Sequence, residues 1–245
     1  EIMDQNLIST EKKTIEINEV DDMGEYFFHH LLNLFSQIAT VNAMKIGVWN
    51  QAMMSQYGWV VAKQYLHLDE PIRYHDEIEL STTISKGSFV SFPRYYYIKK
   101  NQKVIGTCSS VWTLLDIQKR RMVSPQKIGI IFPEVSKEPL LDLPPMIQKN
   151  LEMTYIKDRE VLYSDVDINQ HMNNTCYIQW ALDLIDFDKH HQCYIRDINI
   201  QYRKEIRPRE MVKLFMGEDD HRYLIEGRNE QDDVYFTIEI YFYDR

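Results

Sequence analysis

A chain of 245 residues is long enough for one large domain or two of about 120, and its 44% hydrophobic and 12% aromatic side chains can bury a sizeable core. Its 28 basic against 37 acidic side chains leave a net charge of −9, which argues against general nucleic-acid binding. No window approaches the roughly 18 uninterrupted apolar residues of a membrane helix, and EIMDQNLISTEKK has no basic segment followed by an apolar one. The expectation is a cytoplasmic protein without a membrane span.

In chain order, residues 27–47, FFHHLLNLFSQIATVNAMKIG, read as a long, mostly apolar helix that Gly47 ends. Strand-like runs follow in WVVAKQYLHL, DEIELSTTI, FPRYYYIKK and VIGTCSSVWTLLD, with turn signals at Lys86-Gly87 and Asn101-Gln102. Pro125, Pro133, Pro139, Pro144 and Pro145 then crowd into a segment that interrupts regular structure and suits a connector over the surface. Beyond it the plan repeats, with a helix from about Asn174 to Ile185 and strands in YIRDINIQY, MVKLFMG, RYLIEGRN and VYFTIEIYFYDR. The expected organisation is a first domain over 1–124, a connector over 125–150 and a second domain over 151–245.

Local echoes support duplication. IRYHDEIEL (72–80) aligns without gaps to IRPREMVKL (206–214), and VDDMGEYFF from Val20 can be laid on DVDINQHMN with Asp22 on Asp167. On that alignment Gly24 stands at Asn169, Tyr26 at His171 and Pro71 at Glu205, so the second copy alone keeps the polar residues. Cys108, Cys176 and Cys193 lack metal-ligand spacing and leave an odd thiol, as in a reducing compartment, and read as structural thiols. His29, His30, His190 and His191 have no companion ligands and read as surface or helix histidines, so no metal is expected.

The densest polar cluster is SDVDINQHMNNTCYIQWALD, Ser164 to Asp183, where Asp167, Asn169 and His171 alternate before an aromatic helix. Taken alone, Asp167 and Asn169 suit a turn or cap equally well, and His171 a hydrogen-bonded position at a helix start. Tyr177 and Trp180 read as helix packing, and Tyr95, Tyr96 and Tyr97 as alternating sheet faces.

SDVDINQHMNNTCYIQW resembles the D-x-N-x-H-x-N-N signature of hotdog-fold thioesterases. With the downstream QYRKEIRP, the chain looks like the acyl-acyl-carrier-protein thioesterase family of plants and bacteria over nearly its whole length. The resemblance implies an α+β fold of two tandem hotdog domains, each a long helix wrapped by a curved antiparallel sheet, with the sheets joined edge to edge. It places the catalytic set on Asp167, Asn169, His171 and Glu205. The cysteine that often follows the glutamate in plant members is Ile206 here, so the resemblance favours attack by water.

In that scheme Glu205 is the base for water, and His171 orients the water or protonates the leaving thiolate. Asn169 donates to the thioester carbonyl or the water, and Asp167 holds the loop. A helix capped at Asn173 or Asn174 would turn its positive end toward this site, suiting an oxyanion. Strand alternation puts Ile198, Ile200 and Tyr202 on one face and sends Glu205 to the other, unless a bulge at Arg203-Lys204 re-aims it.

The implied activity is release of free fatty acid from acylated carrier protein, with no metal or organic cofactor. An acyl-CoA thioesterase, a non-hydrolytic acyl-binding hotdog protein and a hotdog dehydratase or hydratase are the alternatives. The resemblance puts the acyl tunnel largely in the first copy, with Phe28, Leu32, Phe35 and Ile38 as candidate lining, although each also suits plain core packing. An acidic carrier needs a basic patch. The candidates are Lys119, Arg120 and Arg121, and a second group of Arg203, Lys204, Arg207 and Arg209 beside Glu205, with solvated surface charge as the simpler reading of both. A tandem chain suffices as a monomer, and a homodimer stays open.

Overall fold

A computed structural model describes residues 5–245. The first half contributes β1 (Ser9–Thr14), α1 (Phe28–Lys45), β2 (Tyr57–Leu68), β3 (Glu77–Ile84), β4 (Phe92–Lys100), β5 (Lys103–Asp116) and the two-residue β6 (Arg121–Met122). The second contributes β7 (Thr154–Glu160), α2 (Cys176–Leu182), α3 (Phe187–Gln192), β8 (Cys193–Tyr202), β9 (Met211–Asp219), β10 (Arg222–Arg228) and β11 (Val234–Asp244). All the strands form one antiparallel sheet in the order β1-β3-β4-β5-β2-β8-β11-β10-β9-β7, with β6 paired to β5. That order is mirrored about the β2–β8 seam, where Lys63 pairs with Gln201 and His67 with Asp197.

Local chemistry accounts for several element ends. Gly47 closes α1 in the left-handed conformation, φ 79°, donating its amide to Met44 O at 3.1 Å. Asn101 and Gln102, both at positive φ, make the tight β4–β5 turn. The expected helix over 174–185 is shorter, because α2 ends at Leu182 and Asp186 turns extended (ψ 142°) and caps α3 by accepting Asp188 N–H at 2.8 Å. The expected cap at Asn173 or Asn174 also shifts. Thr175 is the N-cap, and Asn173 Oδ1 braces it by accepting both its amide and its hydroxyl at 3.0 Å.

One hydrophobic cluster joins the halves. Leu31, Phe35 and Ile38 of α1 meet Ile178 and Trp180 of α2 over Leu80, Ile98, Ile198 and Ile238 of the sheet. Trp180 and Tyr177 are buried in this cluster as expected, and Tyr96 stacks on Phe35 with ring centroids 4.5 Å apart. The proline-rich segment crosses the opposite face of the sheet. There Asn199 Nδ2 donates to Pro145 O at 3.0 Å, Arg222 donates to Asn150 and Gln148, and Lys149 meets Glu226. These contacts seat the connector on polar side chains that alternate with the core-facing Ile198 and Ile238.

Candidate active site

The signature loop is a braced turn. Val166 bridges to Met172, Asp167 N–H donates to His171 O at 2.9 Å and Gln170 N–H donates to Asp167 O at 3.0 Å. Gln170 completes the turn at φ 61°, while Asp167 Oδ1 accepts Asn169 N–H at 2.8 Å. The Asp167 carboxylate therefore fixes the backbone beneath Asn169, and it makes no hydrogen bond to His171 or Glu205.

Glu205 reaches this loop because β8 stops. The amides of Arg203 and Lys204 both donate to Tyr235 O, at 2.8 and 3.2 Å, so the chain bulges at the expected place and alternation is broken. Met172 N–H then donates to Ile206 O at 2.8 Å, which docks residues 205–206 along 171–172. His171 Nε2 lies 3.2 Å from Glu205 Oε2, with the histidine side chain 20% and the glutamate 48% exposed. The result is a close histidine–carboxylate contact open to water on one side.

The same hydrogen bonds correct the repeat alignment by one residue. Asp21 N–H donates to Glu25 O, Gly24 N–H to Asp21 O and Tyr26 N–H to Ile72 O, reproducing the second-half pattern. Asp21, rather than Asp22, thus matches Asp167; Met23 matches Asn169, Gly24 matches Gln170 and Glu25 matches His171. The left-handed position is glycine in one copy (φ 73°) and glutamine in the other. Pro71 still stands at Glu205, so the first copy lacks the histidine–glutamate pair. Glu25 is instead ion-paired to Arg245 and Arg73.

No thiol is placed to attack. Ile206 is fully buried, and the Cys176 thiol donates to Asp165 O at 3.8 Å. Burial, reinforced by the Asp165 charge, pushes that thiol up to about 11. Burial and the charge of Glu205 likewise raise Tyr177, which stays protonated. Among the described residues, no three His, Cys, Asp or Glu side chains are grouped closely enough to hold a metal ion.

Beside the loop lies a cavity of about 220 Å³. Ala39, Thr40 and Ala43 of α1 leave it open, Trp59, Phe92 and Phe132 wall it, and Ile168 and Asn169 from the second half reach its edge. Phe92 and Phe132 stack with centroids 5.0 Å apart, and Trp59 meets Phe92 edge-on. The expected lining from Phe28, Leu32, Phe35 and Ile38 is not observed. Those side chains pack into the core, while the small residues one turn further on supply the space. Arg94 and Ile168 also border the cavity and were not singled out by the sequence; the only signal was an arginine beside three tyrosines in β4.

Of the basic residues, Arg203, Arg207 and Arg209 are exposed and form no ion pair with described residues, whereas Lys204 is paired with Asp233 at 2.8 Å and Lys119 with Asp116 at 3.5 Å. No helix among the described residues is long and apolar enough to cross a membrane.

This mirrored sheet, with helices on one face and a single histidine–glutamate pair beside a cavity, has the fold of solved acyl-ACP thioesterases. An acyl-ACP thioesterase from Bacteroides thetaiotaomicron superimposes with a TM-score of 0.83 at 22% identity, covering 98% of this chain and 99% of that one. The 12:0-ACP thioesterase of Umbellularia californica gives 0.81 at 15% identity, covering 98% and 95%. In sequence, residues 7–128 match the acyl-ACP thioesterase N-terminal domain model and residues 148–243 the C-terminal one. The chain belongs to the acyl-ACP thioesterase family. Among its relatives, the chloroplastic oleoyl-acyl carrier protein thioesterase 1 of Arabidopsis thaliana is 21% identical over 86% of this chain and 64% of its own length. The palmitoyl-acyl carrier protein thioesterase of the same plant is 26% identical over 60% and 38%. The chain thus spans less than two thirds of these relatives.

Proposed function

We propose that this protein hydrolyses fatty acyl-acyl carrier protein thioesters to free fatty acid and carrier protein, using two tandem hotdog domains joined by the 125–150 connector. The observation that carries the reading is the His171–Glu205 pair, 3.2 Å apart, next to a cavity that Asn169 borders. Glu205 takes a proton from water as the water oxygen bonds to the thioester carbon. The Asn169 side-chain amide, unpaired among described residues, donates to the developing oxyanion, and Asp167 holds the Asn169 backbone by accepting its N–H. When the intermediate collapses, the C–S bond breaks and the proton held by Glu205 passes through His171 to the thiolate. The acyl chain occupies the first-half cavity, and the free guanidinium groups of Arg203, Arg207 and Arg209 beside Glu205 receive the acidic carrier. The three free cysteines suit a reducing, cytoplasmic compartment.

Thiol release from carrier-protein and CoA thioesters of equal chain length tests the proposal. The carrier substrate should be the faster, and His171→Ala should lose at least about a hundredfold, the scale of a general acid–base group. A wild type that hydrolyses neither, or an alanine variant with undiminished rate, refutes it; faster CoA hydrolysis reassigns the substrate.

A further inference from the structure

The cavity is bordered by a cation with no counter-ion among the described residues. Arg94 is 6% exposed and borders the cavity from β4. Its Nη1 donates to Asn42 Oδ1 at 2.8 Å and to Thr82 Oγ1 at 3.2 Å, both on fully buried residues. Asn42 is held in turn, its Nδ2 donating to Leu7 O at 3.0 Å and Ser9 Oγ at 3.1 Å. Among the described residues no carboxylate pairs with Arg94 and neither Nε nor Nη2 donates, which leaves three of the five guanidinium N–H groups without a described partner. Nε and Nη2 are not among the enclosed side-chain atoms left without a partner, so an acceptor in the cavity can reach them.

Resting on the thioesterase reading above, we propose that Arg94 is a specificity residue: the cavity takes acyl groups that carry an oxygen acceptor away from the thioester, with a carboxylate the strongest form because it accepts two parallel guanidinium bonds. Asn42 and Thr82 fix the fork by occupying both Nη1 protons, so the Nε–Nη2 edge is the one left for the ligand. The reacting group is untouched by this contact, and a polar chain end is sorted from an apolar one by whether that edge is satisfied.

The test compares kcat/KM on carrier-protein thioesters of matched length ending in methyl, hydroxyl or carboxylate, for wild type, Arg94→Lys and Arg94→Met. Wild type should favour the oxygenated chains by at least about tenfold, as expected of a hydrogen bond to a charged group. Arg94→Met should erase the preference, read as the ratio of oxygenated to methyl-ended rates within each variant, and Arg94→Lys should keep part of it. A wild type that favours the methyl-ended chain, or a methionine variant with the same ratio, overturns the proposal. Independently of turnover and of any variant, binding of the free mono- and dicarboxylic acids to wild type can be followed by fluorescence of Trp59 in the cavity wall. The diacid should bind at least about tenfold tighter, and equal binding overturns the proposal. Absent hydrolysis with selective diacid binding would count against the thioesterase reading alone.

Discussion

Replacing Glu205 with glutamine keeps the shape of the side chain and removes its charge and basicity. The carboxylate is 48% exposed and its only ion pair among the described residues is with His171 at 3.2 Å, so solvent screens the pair and its worth to folding is at most about 1 kcal/mol. For a chain of this size that is a melting shift of no more than about 2–4 °C. Its worth to the reaction is larger, since a positioned base contributes about 10²–10⁴ in rate, or roughly 3–5 kcal/mol of barrier. Single-turnover thiol release measured beside a thermal melt separates the two. The expected result is a rate at least about a hundredfold lower with a nearly unchanged melt. A variant within tenfold of wild type would show that the base lies elsewhere, and a melt lowered by more than about 8 °C would show that Glu205 holds the loop rather than the proton.

Gly227→Ala would bring a Cβ to 2.2 Å from Phe236 Cε1, so the melt should fall by an amount matching about 1–3 kcal/mol of overpacking, and an unchanged melt would contradict the packing described. Cys176→Ser should leave thiol release within about twofold of wild type, because a thiol pushed up to about 11 supplies little thiolate at neutral pH; a loss of activity on the scale of Glu205→Gln would implicate the sulfur. Burial alone would raise the Glu226 carboxyl, but Lys149 and Arg228 outweigh it and hold the group below its ordinary 4.5. A depressed carboxylate adds stability above its unfolded pKa and loses it as pH falls through the folded one. Denaturant melts should therefore show a wild-type advantage over Lys149→Met at pH 6–7 that shrinks as pH drops below about 4.5; an advantage independent of pH would place the effect elsewhere.

Much of the sheet was legible because buried strands advertise themselves. FPRYYYIKK coincides with β4 residue for residue, and the β-branched and aromatic runs found the other inner strands. The edges were not legible: STEKKT in β1 and TYIKDRE in β7 are charged, mostly exposed and unlike a strand in composition, which is how exposed edges are kept from pairing with other chains. At the site, the polar cluster was readable from residue types, whereas the bulge that re-aims Glu205 was not, because alternation by residue type sends it to the other face and only the two amides on Tyr235 O show the break. The repeat register was not, since adjacent Asp21 and Asp22 are equivalent as letters and only the hydrogen bonds of the turn choose between them. The cavity was invisible for a different reason: it is made of what Ala39 and Ala43 lack, and an alanine in a helix looks the same whether its neighbour is a side chain or a void.

The seam at β2–β8 is what permits a division of labour. Two identical copies meeting edge to edge would each have to carry both the polar turn and the space for a chain, in competition for the same interior. Covalent tandem linkage lifts that symmetry. In the first half the position of His171 is Glu25, locked to Arg245, and the helix presents Ala39 and Ala43 to the cavity; in the second the helix is packed by Trp180 and the turn carries His171. Separating the halves would strip β2 and β8 of each other and open a core that neither closes alone, so the specialisation is also a commitment to remain one chain.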